Sequence, residues 1–180
     1  MSEWKWVNME AEQYSKLRNI VIQGIPETKG EDIYSLLDAV AKALKVTYQQ
    51  GEISNAHRLA PSRNNYPTAI VVSFVRRPVR AEWLQAARTI KMKASDVNAS
   101  FGATPVFINE HLSKHNSYLL KQAKNRVKAG ELSHAWVREG KVFVRKTPDA
   151  RARRVYWALD DLPTPSPTPL SESANLNANK

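Results

Sequence analysis

Apolar positions along this chain recur at intervals of two in some stretches and of three to four in others, and the changes of period mark out the elements. NIVIQGIPE, residues 19–27, is an apolar run closed by Gly24 and Pro26, the pattern of a buried strand. In EDIYSLLDAVAKALK, residues 31–45, Ile33, Leu36, Leu37, Val40, Ala41 and Leu44 fall at helical spacing behind an acidic first turn. ISNAHRLAP (53–61) predicts a second strand, SRNNYP a loop, and TAIVVSFV (68–75), rich in β-branched residues, a third strand. A second helix is predicted around residues 79–92, with Trp83, Leu84, Ala87 and Ile90 on one face. Residues 94–105 read as loop and VFIN (106–109) as a short strand. The order strand–helix–strand–strand–helix–strand predicts an α+β fold of the split βαβ kind.

A second module follows. Ser113 is placed to cap a helix over 114–129, with Leu119, Leu120, Ala123 and Val127 inward and Lys114, Lys121, Lys124 and Lys128 mostly opposite. HAWVREGKVFVRK (134–146) then reads as a hairpin around Glu139-Gly140, with glycine at the second position, where positive φ is needed. That turn pairs Arg138 with Lys141, Val137 with Val142, Trp136 with Phe143, and Ala135 with Val144. Ala135, Val137, Val142 and Val144 form an apolar face suited to a core. His134, Trp136, Arg138, Lys141, Phe143 and Arg145 share the other face. RARRVYW (151–157) predicts a basic strand or arm. NMEAEQYSKLR (8–18) is helix-compatible but shorter than two heptads. From Leu162 the chain is rich in Pro, Ser and Asn, which predicts disorder. The expected organisation is a helical or flexible lead-in (1–17), the first module (18–109), a small helix–hairpin C-terminal module (110–159) and a tail (160–180).

Charge narrows the function. The formal net charge is +10, carried unevenly: residues 53–158 hold 20 basic and 6 acidic side chains, while the segments before and after them are each at −2. A basic excess of that size points to polyanions, nucleic acid before anionic lipid. With no cysteine, disulfides, thiolate zinc sites and cysteine nucleophiles are excluded. No apolar run approaches the length of a membrane span, and the N-terminus lacks a signal-peptide core. An intracellular protein, cytoplasmic or nuclear, is expected. His111 and His115, four apart, could share a metal, but no third ligand stands nearby, and a cap-and-turn role is expected instead. No nucleophile triad, carboxylate pair or phosphate loop emerges, so the expectation is a non-enzymatic protein without a cofactor.

The series RNIVIQGIPET, SNAHRLAP, AIVVSFVRRPVRAEWLQAAR, VFINEHLS and HAWVREGKVFVRK resembles the C-terminal region of baculovirus few-polyhedra (FP) proteins, over roughly residues 18–158. The same domain occurs in insect retrotransposon-derived proteins, and it is distantly similar to the RNA-binding protein of LINE elements. The resemblance implies a domain like the RNA-recognition motif, then a small C-terminal domain, and single-stranded nucleic acid as ligand. Three features differ from that pattern. The upstream coiled coil is essentially missing, which leaves homo-oligomerisation open. The hairpin turn carries Glu139. The first module's stacking positions have lost their aromatics, with Val21 in the first strand and only Phe74 in the third.

The hairpin face has two readings. Trp136 and Phe143 either offer π-faces to unpaired bases while Arg138, Lys141 and Arg145 meet phosphates, or they are a packing pair covered by another element. Arg76, Arg77, Arg80, Arg88, Lys91 and Lys93, with few acids nearby in sequence, read as a second phosphate-contacting cluster or as a solvated face. Arg58 is expected to face a basic cleft between the modules. Lys121, Lys124, Lys146, Arg153 and Arg154 extend the candidate set. Neutralising 6–8 phosphates would give a salt slope of about −4 to −6. An acidic protein partner for the same surface is the alternative, and anionic membrane held through Trp4 and Trp6 a weaker one. Thr164, Ser166 and Thr168, each before a proline, are candidate phosphorylation sites that would set negative charge against the basic surface.

Overall fold

The computed structural model describes residues 3–61 and 67–157, so Thr164, Ser166 and Thr168 lie outside the described residues. Within them the fold is mixed α+β, with five helices and two antiparallel sheets. The first part contains α1 (Glu3–Ser15), β1 (Asn19–Gln23), α2 (Ile33–Leu44), β2 (Ile53–Arg58), β3 (Ile70–Phe74), α3 (Arg77–Thr89), α4 (Ala94–Val97) and β4 (Phe107–Glu110). The second contains α5 (Lys114–Lys128), β5 (His134–Arg138), β6 (Lys141–Arg145) and β7 (Arg153–Val155).

Local chemistry explains the boundaries. Asp32 caps α2 by accepting from Tyr34 N–H, and Lys45 ends the helix in the left-handed region at φ 58°. Helix α3 starts at Arg77, two residues ahead of the predicted start, because Pro78 in its first turn lacks only a donor the helix does not use. It stops at Thr89, and the chain past it buries Met92. The predicted loop after residue 93 contains α4, held by Lys93 N–H donating to Asp96 Oδ2 at 2.8 Å.

The first sheet has the order β2-β3-β1-β4. Ile20, Ile22, Ile70, Val72, Phe74 and Ile108 pack from one sheet face against Leu37, Val40 and Leu44 of α2 and Trp83 of α3. Phe74 is fully buried with its ring edge-on to Trp83, 5.4 Å between centroids, so the aromatic left in β3 serves the core. The opposite face carries side chains such as Gln23, Asn55, His57 and Asn109, with the exposed ring of Phe107 on the outer strand.

In the second sheet, order β5-β6-β7, Trp136 opposes Phe143 and Arg138 opposes Lys141, the register read from the sequence. The turn has φ 50° at Glu139 and 71° at Gly140, the pair of positive values of a type I′ turn. Helix α5, capped by Ser113, covers Ala135, Val137, Val142 and Val144 with Leu119, Leu120, Ala123 and Val127, a second apolar core.

The lead-in is a structural member. Gln13 of α1 is buried; its Nε2 donates to the His111 carbonyl at 3.0 Å, and its Oε1 accepts from Ser113 N–H at 2.8 Å and Asn116 Nδ2 at 3.1 Å. Asn116 Nδ2 also donates to the Gly140 carbonyl, and Gly140 N–H donates to Glu110 Oε1. Glu110 Oε1 accepts in turn from Arg80 Nη2 at 2.9 Å. One polar network therefore ties α1, the first sheet, α5 and the hairpin turn together. A Cβ on Gly140 would meet the Gln13 side chain at 2.7 Å, so glycine is required there by space as well as by φ.

Candidate functional site

The aromatic pair on the hairpin belongs to neither apolar core. Side chains directly opposed across antiparallel strands share a face, so Trp136 and Phe143 stack on the side of the sheet away from α5. Their rings lie 18° from parallel with centroids 5.8 Å apart, each half-buried by the other and by its neighbours. The Arg145 guanidinium stands 5.6 Å from the centre of the Trp136 ring. Arg138 and Lys141, exposed and opposite one another, sit at the turn end of the same face.

Strand β7 adds a member. Arg154 opposes Phe143, which brings it to the aromatic face, where it lies 4.4 Å from the Tyr156 ring centre and donates to Glu10 of α1 at 2.8 Å. Its Nε is buried without a hydrogen-bond partner among the described residues. Arg153, one residue earlier, shares the Val144 side and is exposed at the sheet edge. Lys146 follows β6 and is half-buried. Lys121 and Lys124 are exposed on α5, the layer that covers the other side of the sheet, so they do not join the aromatic face. The structure thus brings together Trp136, Arg138, Lys141, Phe143, Arg145 and Arg154.

The other predicted cluster divides. Arg58 is an internal strut: all five N–H donors are used, two on Glu31 and the others on the carbonyls of Ile25, Pro26 and Thr68. Its side chain is 10% exposed, which removes it from a phosphate-binding role. Arg80 is likewise turned inward, donating to the Asn19 carbonyl and to Glu110 with both charged side chains 8% exposed. Arg76 is exposed but paired with Glu52. These acids, distant in sequence, absorb charges that the local sequence left unpaired. Arg77 remains at the surface with its guanidinium 5.6 Å from the Tyr14 ring centre. Arg88 and Lys91 are exposed beyond it, at the far end of α3 from the Arg80–Glu110 pair.

The network through Gln13 and Glu110 occupies the junction between the modules, where Arg80 is paired rather than open to a ligand. Between α1 and the second sheet lies a crevice of about 10 Å³, lined by Trp6, Glu10, His115, Lys141, Arg154 and Tyr156 among others. The two histidines go separate ways. Asn19 Nδ2 lies 3.0 Å from His111 Nδ1, while His115 Nε2 donates to the Tyr156 carbonyl at 2.9 Å. Burial, then the charges of Lys16 and His57, hold the His111 imidazole below its ordinary range. Trp6 packs on Tyr156 and Trp157, so of the two N-terminal tryptophans only Trp4 faces outward. No helix among the described residues is long and apolar enough to cross a membrane.

Sequence reasoning missed Tyr14, which with Trp4 and Val7 forms an exposed stripe on α1. Their spacing of three and seven was the available signal, obscured because the opposite side of α1 is also apolar at Trp6 and Met9. In comparison with known proteins, residues 18–108 match baculovirus FP protein domain 1 and residues 113–157 match baculovirus FP protein domain 2. No curated protein matches the chain.

Proposed function

The chain belongs to the baculovirus FP protein family, a virus-related family, and on that premise we propose that it binds single-stranded nucleic acid through the outer face of its C-terminal hairpin. The observation that carries this reading is the stacked Trp136–Phe143 pair, left outside both cores and ringed by Arg138, Lys141, Arg145 and Arg154. Flat apolar rings accept bases of any identity, and guanidinium and ammonium groups meet the phosphates between them. Unpaired strands are favoured over duplex because a duplex keeps its base faces stacked inside. Recognition is then backbone-dominated and weakly sequence-specific, and the protein is a binder rather than a catalyst.

The first module supports the reading by its architecture. Its antiparallel order β2-β3-β1-β4, with α2 and α3 on one face, suits the split βαβ arrangement of RNA-recognition-motif-like domains. Its open face has no cation on the strands that cross it and one exposed ring, Phe107, so we assign the main affinity to the hairpin.

Three cations on the aromatic face, Arg138, Lys141 and Arg145, set the salt dependence, since Arg154 is paired with Glu10. At about −0.7 per phosphate contact, the slope of log affinity on log salt is about −2, shallower than the slope expected before Arg58, Arg76, Arg80 and Arg154 were found paired. The test is fluorescence anisotropy with a labelled single strand of about 20 nucleotides and with its duplex, at two salt concentrations. Salt-sensitive preference for the single strand, weakened on all sequences by Arg138→Ala with Arg145→Ala, is the expected result. No binding at low salt, with capture of an acidic peptide instead, would transfer the surface to a protein partner.

A further inference from the structure

A second ring stands in solvent one residue from the contact between α1 and the hairpin turn. Tyr14 is 70% exposed, yet it is the neighbour of Gln13, whose side chain fills the space beneath Gly140. Arg77, the first residue of α3, lies over the Tyr14 ring at 5.6 Å. Arg18 is exposed, and its carbonyl accepts from Phe74 N–H, three residues ahead of Arg77. An aromatic ring beside arginines thus occurs twice, once on each side of the junction: Trp136 with Arg145, and Tyr14 with Arg77. The exposed Arg138 and Lys141 flank the turn between them.

We infer that Tyr14, with Arg77 and Arg18, is a second stacking and phosphate-contacting point, so that the ligand is a single strand long enough to reach both modules. The inference rests on the nucleic-acid reading of the hairpin and extends it to residues of α1 and the first module. Length follows from geometry. Trp136 is four strand residues from Gly140, about 13 Å at ~3.3 Å per residue. With the Gly140–Gln13 contact and the step to Tyr14, the path along the chain from one ring to the other is on the order of 20 Å. A stacked strand rises ~3.4 Å per nucleotide, so about six nucleotides bridge the two points. Because Gln13 and Glu110 hold the modules in fixed relation, the second contact is intramolecular once the first is made, and affinity should rise sharply at that length.

The experiment is anisotropy titration of the full chain with oligothymidylates of 4, 6, 10 and 20 nucleotides. The variants are Tyr14→Ala with Arg77→Ala, Tyr14→Trp, and Trp136→Ala. Tyr14 is exposed, so its replacement leaves the core packing untouched, and thermal melts confirm that each variant is folded. The expected result is about a tenfold or greater gain in wild-type affinity between 4 and 10 nucleotides. Tyr14→Ala with Arg77→Ala abolishes that gain, Tyr14→Trp retains it, and Trp136→Ala weakens every length. Equal affinity of the double variant and wild type for the 10-mer overturns the second contact while leaving the hairpin reading intact. Failure of all lengths to bind wild-type protein at low salt overturns both.

Discussion

Replacing Gln13 by Met keeps the length of the side chain and removes its amide, which tests whether the polar network at the junction holds the molecule together. Three hydrogen bonds are lost, to the His111 carbonyl, Ser113 N–H and Asn116 Nδ2. Asn116 retains its bond to the Gly140 carbonyl, and His111 is only half-buried. The severe loss is at Ser113, a residue 1% exposed whose N–H would be left without a partner. An orphaned buried donor costs about 1–3 kcal/mol, and the weakened His111 and Asn116 sites about 1 kcal/mol more, so the variant should lose about 2–4 kcal/mol. A 13-residue helix is marginal in water without tertiary contacts, so α1 should fray early. Urea unfolding followed by tryptophan fluorescence gives the stability change, and far-ultraviolet circular dichroism before the main transition reports α1. A loss below about 0.5 kcal/mol with α1 helicity intact would refute this account of the junction.

Arg58→Lys should destabilise the first module by about 3 kcal/mol, because an ammonium cannot reproduce five donors in a fixed fork and Glu31 is left under-paired. Oligonucleotide affinity, measured well below the melting temperature, should not change; a loss comparable to that of Arg138→Ala would return Arg58 to the binding surface. Acid should destabilise the fold in two stages. The Arg58 hydrogen bonds draw the Glu31 carboxyl below its ordinary 4.5, so its contribution is present above about 4.5 and is lost as pH falls through the lower folded value. Burial depresses His111 from 6.5, so the unfolded chain takes up its proton first, and that contribution is full above about 6.5 and lost below it. Melting temperatures between pH 7.5 and 4 should fall, with His111→Gln flattening the upper part; a rise on acidification through pH 6 would reverse the sign of the argument.

Most of the hairpin was legible in advance. A two-residue connection ending in glycine leaves one register that puts four apolar residues on a common face, and the period of two does the rest. Helices α2, α3 and α5 were legible from their apolar period, with ends displaced by no more than three residues, whereas α1 starts five residues before the lead-in segment read from the sequence and α4 lies where a loop was expected. Ion-pair partners were not. Arg58 and Glu31 are 27 positions apart and Arg80 and Glu110 are 30 apart, so counting acids near a basic run overstates its free charge. Nor could pattern alone show that Gln13, a polar residue in a short helix, would be the most buried member of α1. Its partners are two backbone groups and one side chain, about 100 residues away, and such groups leave no periodic trace.

The contact of Trp6 with Trp157, 4.6 Å between ring centroids, closes the described body on itself, since these residues lie near its two ends. Trp6 and Trp157 therefore share one corner of the described body, on the side where Glu10 holds Arg154. A short linker across that corner should allow the chain to be reopened elsewhere, and a circular permutant cut in a surface loop is a practical route to labelling the hairpin alone.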